Sequence, residues 1–180
     1  RSTHCISSAA SDVYKRQEKQ WRTKKGAIEL LGAMAYCAPR QLSAALPTVI
    51  PRLSEVLADS HTQVRTAANK SLKQFGKVIH NPEVNALVPV LLKALVDPNA
   101  KTAAALRALL ETKFVHYIDA PSLALIAPIL ERGLRERVVG SQKNAAQIVG
   151  SLASLTDARD FVPYLPRYTP CLLYTSPSPR

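Results

Sequence analysis

Prolines spaced 38 and 39 residues apart constrain the fold of this chain more than any other feature. The segments LPTVIPRLSEVLAD (46–59), ALVPVLLKALVD (86–97) and ALIAPILERGLRE (124–136) superpose on Pro51, Pro89 and Pro128. Six residues after each proline stands a leucine (Leu57, Leu95, Leu134), and eight after it an acid (Asp59, Asp97, Glu136). A fourth start, YLPRYTP, brings Pro170 to the equivalent place 42 residues further on. A unit of this length is one supersecondary motif that cannot bury its apolar surface alone, so it predicts a stack in which neighbours share a continuous core.

The segments between the prolines carry the period of an α-helix. From Thr62 to Ile79, Val64, Ala68, Leu72, Phe75 and Ile79 recur at steps of four, four, three and four, which places them on one face. Lys70, Lys73 and Lys77 fall off that face, toward solvent. Trp21, Ile28, Leu31 and Ala35 give an earlier helix the same character, and later second helices are expected near Lys101 to Lys113 and Ser141 to Leu155. The prolines are expected early in each first helix, where a missing N–H does little harm. The acids mark the turn that follows, where Asp59-Ser60 and Asp97-Pro98-Asn99 supply turn chemistry and a cap for the next helix. Arg65 is expected to brace adjacent turns by pairing with Asp59 or Asp97. With few aromatics, at 6%, and abundant Leu and Ala, the fold class is all-α: a superhelical α-α solenoid of about three complete helix pairs plus partial ones.

Three segments divide the chain. Residues 18–170 form the repeat body. Residues 1–17 lack a period of 2 or 3.6, and 171–180 (CLLYTSPSPR) break off a promising helix. DVYKRQ and CLLYTSPSPR resemble translated adapter sequence, so both ends are read as adapter-derived or as disordered natural tails. The body is then a piece of something longer, with uncovered apolar faces at both ends. Cys5, Cys37 and Cys171 are scattered without a C-x-x-C pair, which suggests neither a disulfide framework nor a zinc site. No apolar run of membrane-spanning length appears, and a cytoplasmic location is expected. The net charge is +11, of which +8 remains in the body. Such a balance favours an anionic partner or serves solubility.

A helix pair of about 40 residues with a proline, a turn acid and a following Val-Arg resembles HEAT repeats of the HEAT/armadillo-like class. Longer strings are more specific: QWRTKKGAIELLGAMAYCAPRQL (20–42), TKFVHYIDAPSLALIAPILERGLRER (112–137) and NAAQIVGSLASLT (144–156). Together they resemble the elongation factor 3-like HEAT region of the general-control translational activator family. Elongation factor 3 shares the W-R-T-K-K-G-A-I-E-L-L-G opening and a counterpart of P-I-L-E-R-G-L-R-E-R. The resemblance implies a scaffold that binds ribosomes, through rRNA or ribosomal proteins, and a non-membrane ATP-binding-cassette partner. It also implies activation of the initiation factor 2 alpha kinase during amino-acid starvation, with the kinase contact lying outside this segment.

Ribosome contact needs cations on a rigid surface that can follow phosphate. The candidates are Arg22, Lys24, Lys25, Lys70, Lys73 and Lys77, with a second cluster at Arg132, Arg135 and Arg137. The lysine row is equally readable as a solvated helix face. Phe114, Val115, Tyr117 and Ile118 form an apolar cluster, read as a staple for the next helix or as a docking patch. Cys37 is expected to pack. Asp157 and Asp160 are read as a helix start. His61, His80 and His116 lack ligand spacing, and the glycines form no phosphate loop, so no cofactor, metal or catalytic residue is expected. An alternative is a tubulin-binding (TOG-like) HEAT array with Trp21 as its turn aromatic. That reading is weakened because the turns Asp59 to Thr62 and Asp97 to Lys101 are not conspicuously basic.

Overall fold

The structure, a computed structural model, describes the backbone of residues 3–175 and the side chains of residues 20–173. In chain order the helices are α1 (Thr3–Cys37), α2 (Pro39–Val56), α3 (Thr62–Gly76), α4 (Pro82–Val96), α5 (Pro98–Glu111), α6 (Ala120–Arg135), α7 (Val139–Leu155), α8 (Ala158–Phe161), a 3-10 turn at Val162–Tyr164 and α9 (Leu165–Thr175). The described residues contain no strand. Three pairs, α2 with α3, α4 with α5 and α6 with α7, are complete, flanked by α1 and by α8–α9. The boundaries expected after residue 17 and at residue 171 fall inside α1 and α9, and residues 1–2 and 176–180 lie outside the described residues.

Helix starts follow rules the sequence displays. Pro39, Pro82 and Pro98 open α2, α4 and α5, and Pro121 stands in the first turn of α6, where no intrahelical donor is needed. Asn81 Oδ1 accepts from the N–H groups of Glu83 and Val84, Asp97 from Ala100, Asp119 from Ser122, and Asp157 from Arg159. Each satisfies an N-terminal donor that the helix itself leaves open.

These starts correct the expected place of the repeat prolines. Pro51, Pro89 and Pro128 lie well inside α2, α4 and α6 rather than near their beginnings. The helices begin at upstream prolines, so each repeat proline instead removes an interior hydrogen bond, leaving the carbonyl four residues earlier without its helical donor. The second helix expected to reach Ile79 ends at Gly76, although Val78 and Ile79 remain buried. Likewise α5 and α7 each begin earlier than expected, at Pro98 and Val139.

Burial follows the expected stripe in α3, where Val64, Ala68, Leu72 and Phe75 are all buried, and Lys70, Lys73 and Lys77 are exposed. The α1/α3 seam is closely packed. Gly32 of α1 sits so close to α3 that a Cβ there would lie 2.6 Å from Ser71 Oγ, and that hydroxyl donates to Ile28 O at 2.8 Å. The seam α5/α7 is likewise closed, whereas no comparable seam joins α3 to α5. On the other layer α2 passes by α4 and packs along α6. In consequence α6 is buried nearly all round, from Pro121 through Ala127 and on to Ile129, Leu130, Gly133 and Leu134.

The residue 112–119 linker joins three repeats. Asn81 Nδ2 donates to Tyr117 O at 3.0 Å, and the Glu83 carboxylate accepts from the N–H groups of Val115 and His116 and pairs with the His116 ring at 2.8 Å. Further along, Ile118 N donates to Leu155 O, and Asp157 N donates to Tyr117 Oη. The expected compact apolar cluster is thereby split: Ile118 is buried and Phe114 packs against the core, but Val115 and Tyr117 are exposed.

Candidate functional site

The cations singled out from the sequence occupy two different kinds of surface. Around the turn between α2 and α3 they are engaged in holding α1. Lys24 Nζ lies 3.2 Å from Asp59 Oδ2, and Lys25 lies within reach of Gln63 and Glu29, at 3.5 and 3.9 Å. The Trp21 ring stacks on His61 at 5.8 Å between centroids, with the Arg22 guanidinium 5.5 Å from the same ring. The His61 main-chain N–H, followed by Lys24, holds the Asp59 carboxyl below its usual value. Trp21 is therefore half-buried in the middle of α1 and packed on a turn rather than lying in one.

Arg65 braces this turn, though by another route than expected. Its guanidinium donates to the main-chain oxygens of Asp59 and Ser60, at 2.6 and 3.0 Å, and to Thr62 Oγ1. The Asp59 carboxylate is taken by Lys24 and by His61 N, which leaves Arg65 the carbonyls. Asp59 thus organises the turn without capping α3, whose N-cap is His61, whereas Asp97 caps α5 as expected. Glu136 caps no helix with its side chain; its main-chain oxygen accepts from Gln142 Nε2 at 2.7 Å.

Along α3, Lys77 donates to Tyr36 Oη at 3.1 Å and lies 5.3 Å from that ring, joining α3 to α1. The same hydrogen bond, then Gln74, holds the Tyr36 phenol below its ordinary value. Lys70 and Lys73 are exposed and have no acidic partner among the described residues. In the second cluster, Arg132 donates to Asn99 Oδ1 and Arg135 pairs with Glu131 at 2.9 Å, shared with Arg167 at 3.6 Å. Arg137 is exposed with no acid against it among the described residues. Lys24, Lys25, Lys77, Arg132 and Arg135 thus hold neighbouring side chains, whereas Lys70, Lys73 and Arg137 meet no acid among the described residues. Lys93 and Lys101, which the sequence reading did not single out, are also exposed without an acid partner among the described residues and line one groove with Lys73. The three are dispersed over three helices, so no linear motif marks them.

Cys37, expected to pack, is exposed. Its place at the end of α1, just before the Ala38-Pro39 break, turns it outward. Asp157 caps α8 and Asp160 lies in its first turn, as the helix-start reading has it.

Comparison with known proteins matches this architecture to two family models. The one described as "EF3 N-terminal HEAT repeat" matches residues 6–72, and "Elongation factor 3/GNC1 HEAT repeat" matches residues 100–176. The chain is 58% identical over 156 residues to the "Stalled ribosome sensor GCN1" of Homo sapiens, which spans 87% of this chain and 6% of that protein. It is 54% identical over 148 residues to the "eIF-2-alpha kinase activator GCN1" of Saccharomyces cerevisiae, covering 82% of the chain and 6% of the relative. An "Elongation factor 3" from Gonapodya prolifera is 32% identical over 155 residues, covering 86% and 14%. The chain thus spans about 6% of the length of the GCN1 relatives it matches.

Proposed function

The chain belongs to the HEAT-repeat family shared by elongation factor 3 and GCN1, and from that premise we propose that it is a non-catalytic segment of a cytoplasmic translational-control scaffold that contacts ribosomes. The observation that carries this reading is the 58% identity to a protein named a stalled ribosome sensor, sustained across nearly the whole chain. The surface chemistry is compatible with it. Lys70 and Lys73 project from a helix packed against α1 and α2, a rigid footing that lets cations meet phosphate without ordering a loop first.

Activation of the initiation factor 2 alpha kinase belongs, in this proposal, to the assembled protein, with the kinase held by segments outside these 180 residues. An ATP-binding-cassette partner is a second expected ligand of the scaffold. No described helix is long and apolar enough to cross a membrane, so nothing in the described helices calls for a membrane partner.

Ribosome co-sedimentation of the chain with Lys70 and Lys73 both changed to Glu tests the assignment. Binding should weaken, and the slope of log affinity against log salt should fall by about 0.7 to 0.9 for each phosphate that is no longer neutralised. Unchanged binding with an unchanged slope would remove these two lysines from the interface.

A further inference from the structure

The missing seam between α3 and α5 leaves a groove. It has a volume of about 720 Å³ and is floored by Leu72 of α3 and by Val88, Leu92 and Val96 of α4. At the equivalent position one repeat earlier, α3 itself fills the space beside α1. The rim is cationic: Lys73 stands on α3, Lys93 on α4 and Lys101 on α5. Asp97 is the acid lining the groove, and its carboxylate already accepts from Ala100 N as the cap of α5. Like charges on the two walls oppose closure of the seam; Leu72 and Val88 are already buried beneath, while Leu92 is half-buried and Val96 44% exposed.

We propose that this groove is a docking site for an acidic amphipathic helix of a partner protein. A helix laid between α3 and α5 would occupy the place of the missing helix-helix seam. Its apolar stripe would cover Leu92 and Val96, and its flanking carboxylates would meet the three lysines. Charge selects this occupant over a second copy of the chain, because 24 basic against 13 acidic residues would bring like charge to the rim. Floor chemistry selects it over RNA, since aliphatic side chains offer bases no aromatic platform and phosphates no donor. The inference does not rest on ribosome contact, and only Lys73 is common to the two surfaces.

The test is fluorescence anisotropy on the full chain. The probes are a labelled synthetic helix with Leu at i, i+3, i+4 and i+7 and Glu on both flanks, the same helix with Lys in place of Glu, and a single-stranded RNA. The acidic helix should bind. Both K93E/K101E and, separately, V96E should weaken it about tenfold or more, a loss of about 1.4 kcal/mol each. The charge-matched control K143E/R159E, at exposed positions on α7 and α8, should leave it nearly unchanged. Thermal melts that match the parent chain would show the variants folded. The proposal is overturned if the acidic helix fails to bind, if the Lys-bearing helix or the RNA binds as well, or if V96E has no effect while both double variants weaken binding alike.

Discussion

The seam between α1 and α3 and the gap between α3 and α5 join equivalent helices of successive repeats, yet they are built on opposite terms. The first is closed by small residues and burial: Gly32 admits Ser71, whose hydroxyl meets Ile28 O, and Lys77 seals one end over Tyr36. In the second, the facing second helices stay apart with Lys73 and Lys101 on their two sides, and the two repeats meet instead where α3 packs on α4. The lesson is that one periodic sequence can join successive repeats through their second helices or leave those helices apart and join them through the other layer.

Three perturbations bear on this contrast. Filling the closed seam should have the largest effect: Gly32→Leu puts a branched side chain against Ser71 and should cost about 3 kcal/mol in urea unfolding. A cost near zero would mean that α1 and α3 are not held at this distance. One junction further on, where the start of α4 meets the 112–119 linker, Asn81→Ala removes the cap of α4 together with the bond to Tyr117 O, and should cost about 1–2 kcal/mol. It should also speed hydrogen exchange in residues 115–117; exchange unchanged there would detach the linker from this anchor.

The smallest effect should appear only with pH. The His116 ring, then the main-chain N–H groups of Val115 and His116, hold the Glu83 carboxyl below its ordinary value. A group whose value is depressed in the folded state binds protons more readily when unfolded, so it stabilises the fold above the ordinary glutamate range. That contribution disappears as pH falls through the depressed folded value. Urea midpoints followed from about pH 6 to about pH 3 should therefore fall less steeply for Glu83→Gln than for the parent chain. Parallel curves would show that the pairing contributes nothing to the linker.

Legibility in the sequence follows how local the physics is. The buried stripe of α3 is readable because it depends only on helical period, and the cap at Asp97 because it depends on two neighbouring residues. The interior position of Pro51, Pro89 and Pro128 is also encoded, in the upstream Ala38-Pro39, Asn81-Pro82 and Ala120-Pro121, but those prolines stand outside the segments that the repeat aligns. Arg65 goes to carbonyls because Lys24, 35 residues before Asp59, occupies the carboxylate. The candidate cations thin out for the same reason: Lys24, Lys77 and Arg132 each meet a partner at least 33 residues away in sequence. Such partners are a property of the folded stack and leave no mark in the spacing of one segment.

The position of α6 bears on how the molecule comes apart. Repeat arrays ordinarily behave as a row of units coupled only to their neighbours, so that ends can fray and a boundary can travel along the row. Here α2, α4, α5, α7 and α9 all rest on one helix, which links the second repeat to the fourth without passing through the third. Unwinding α6 would strip cover from every pair at once, giving this stretch of the array the all-or-none character of a small globular domain.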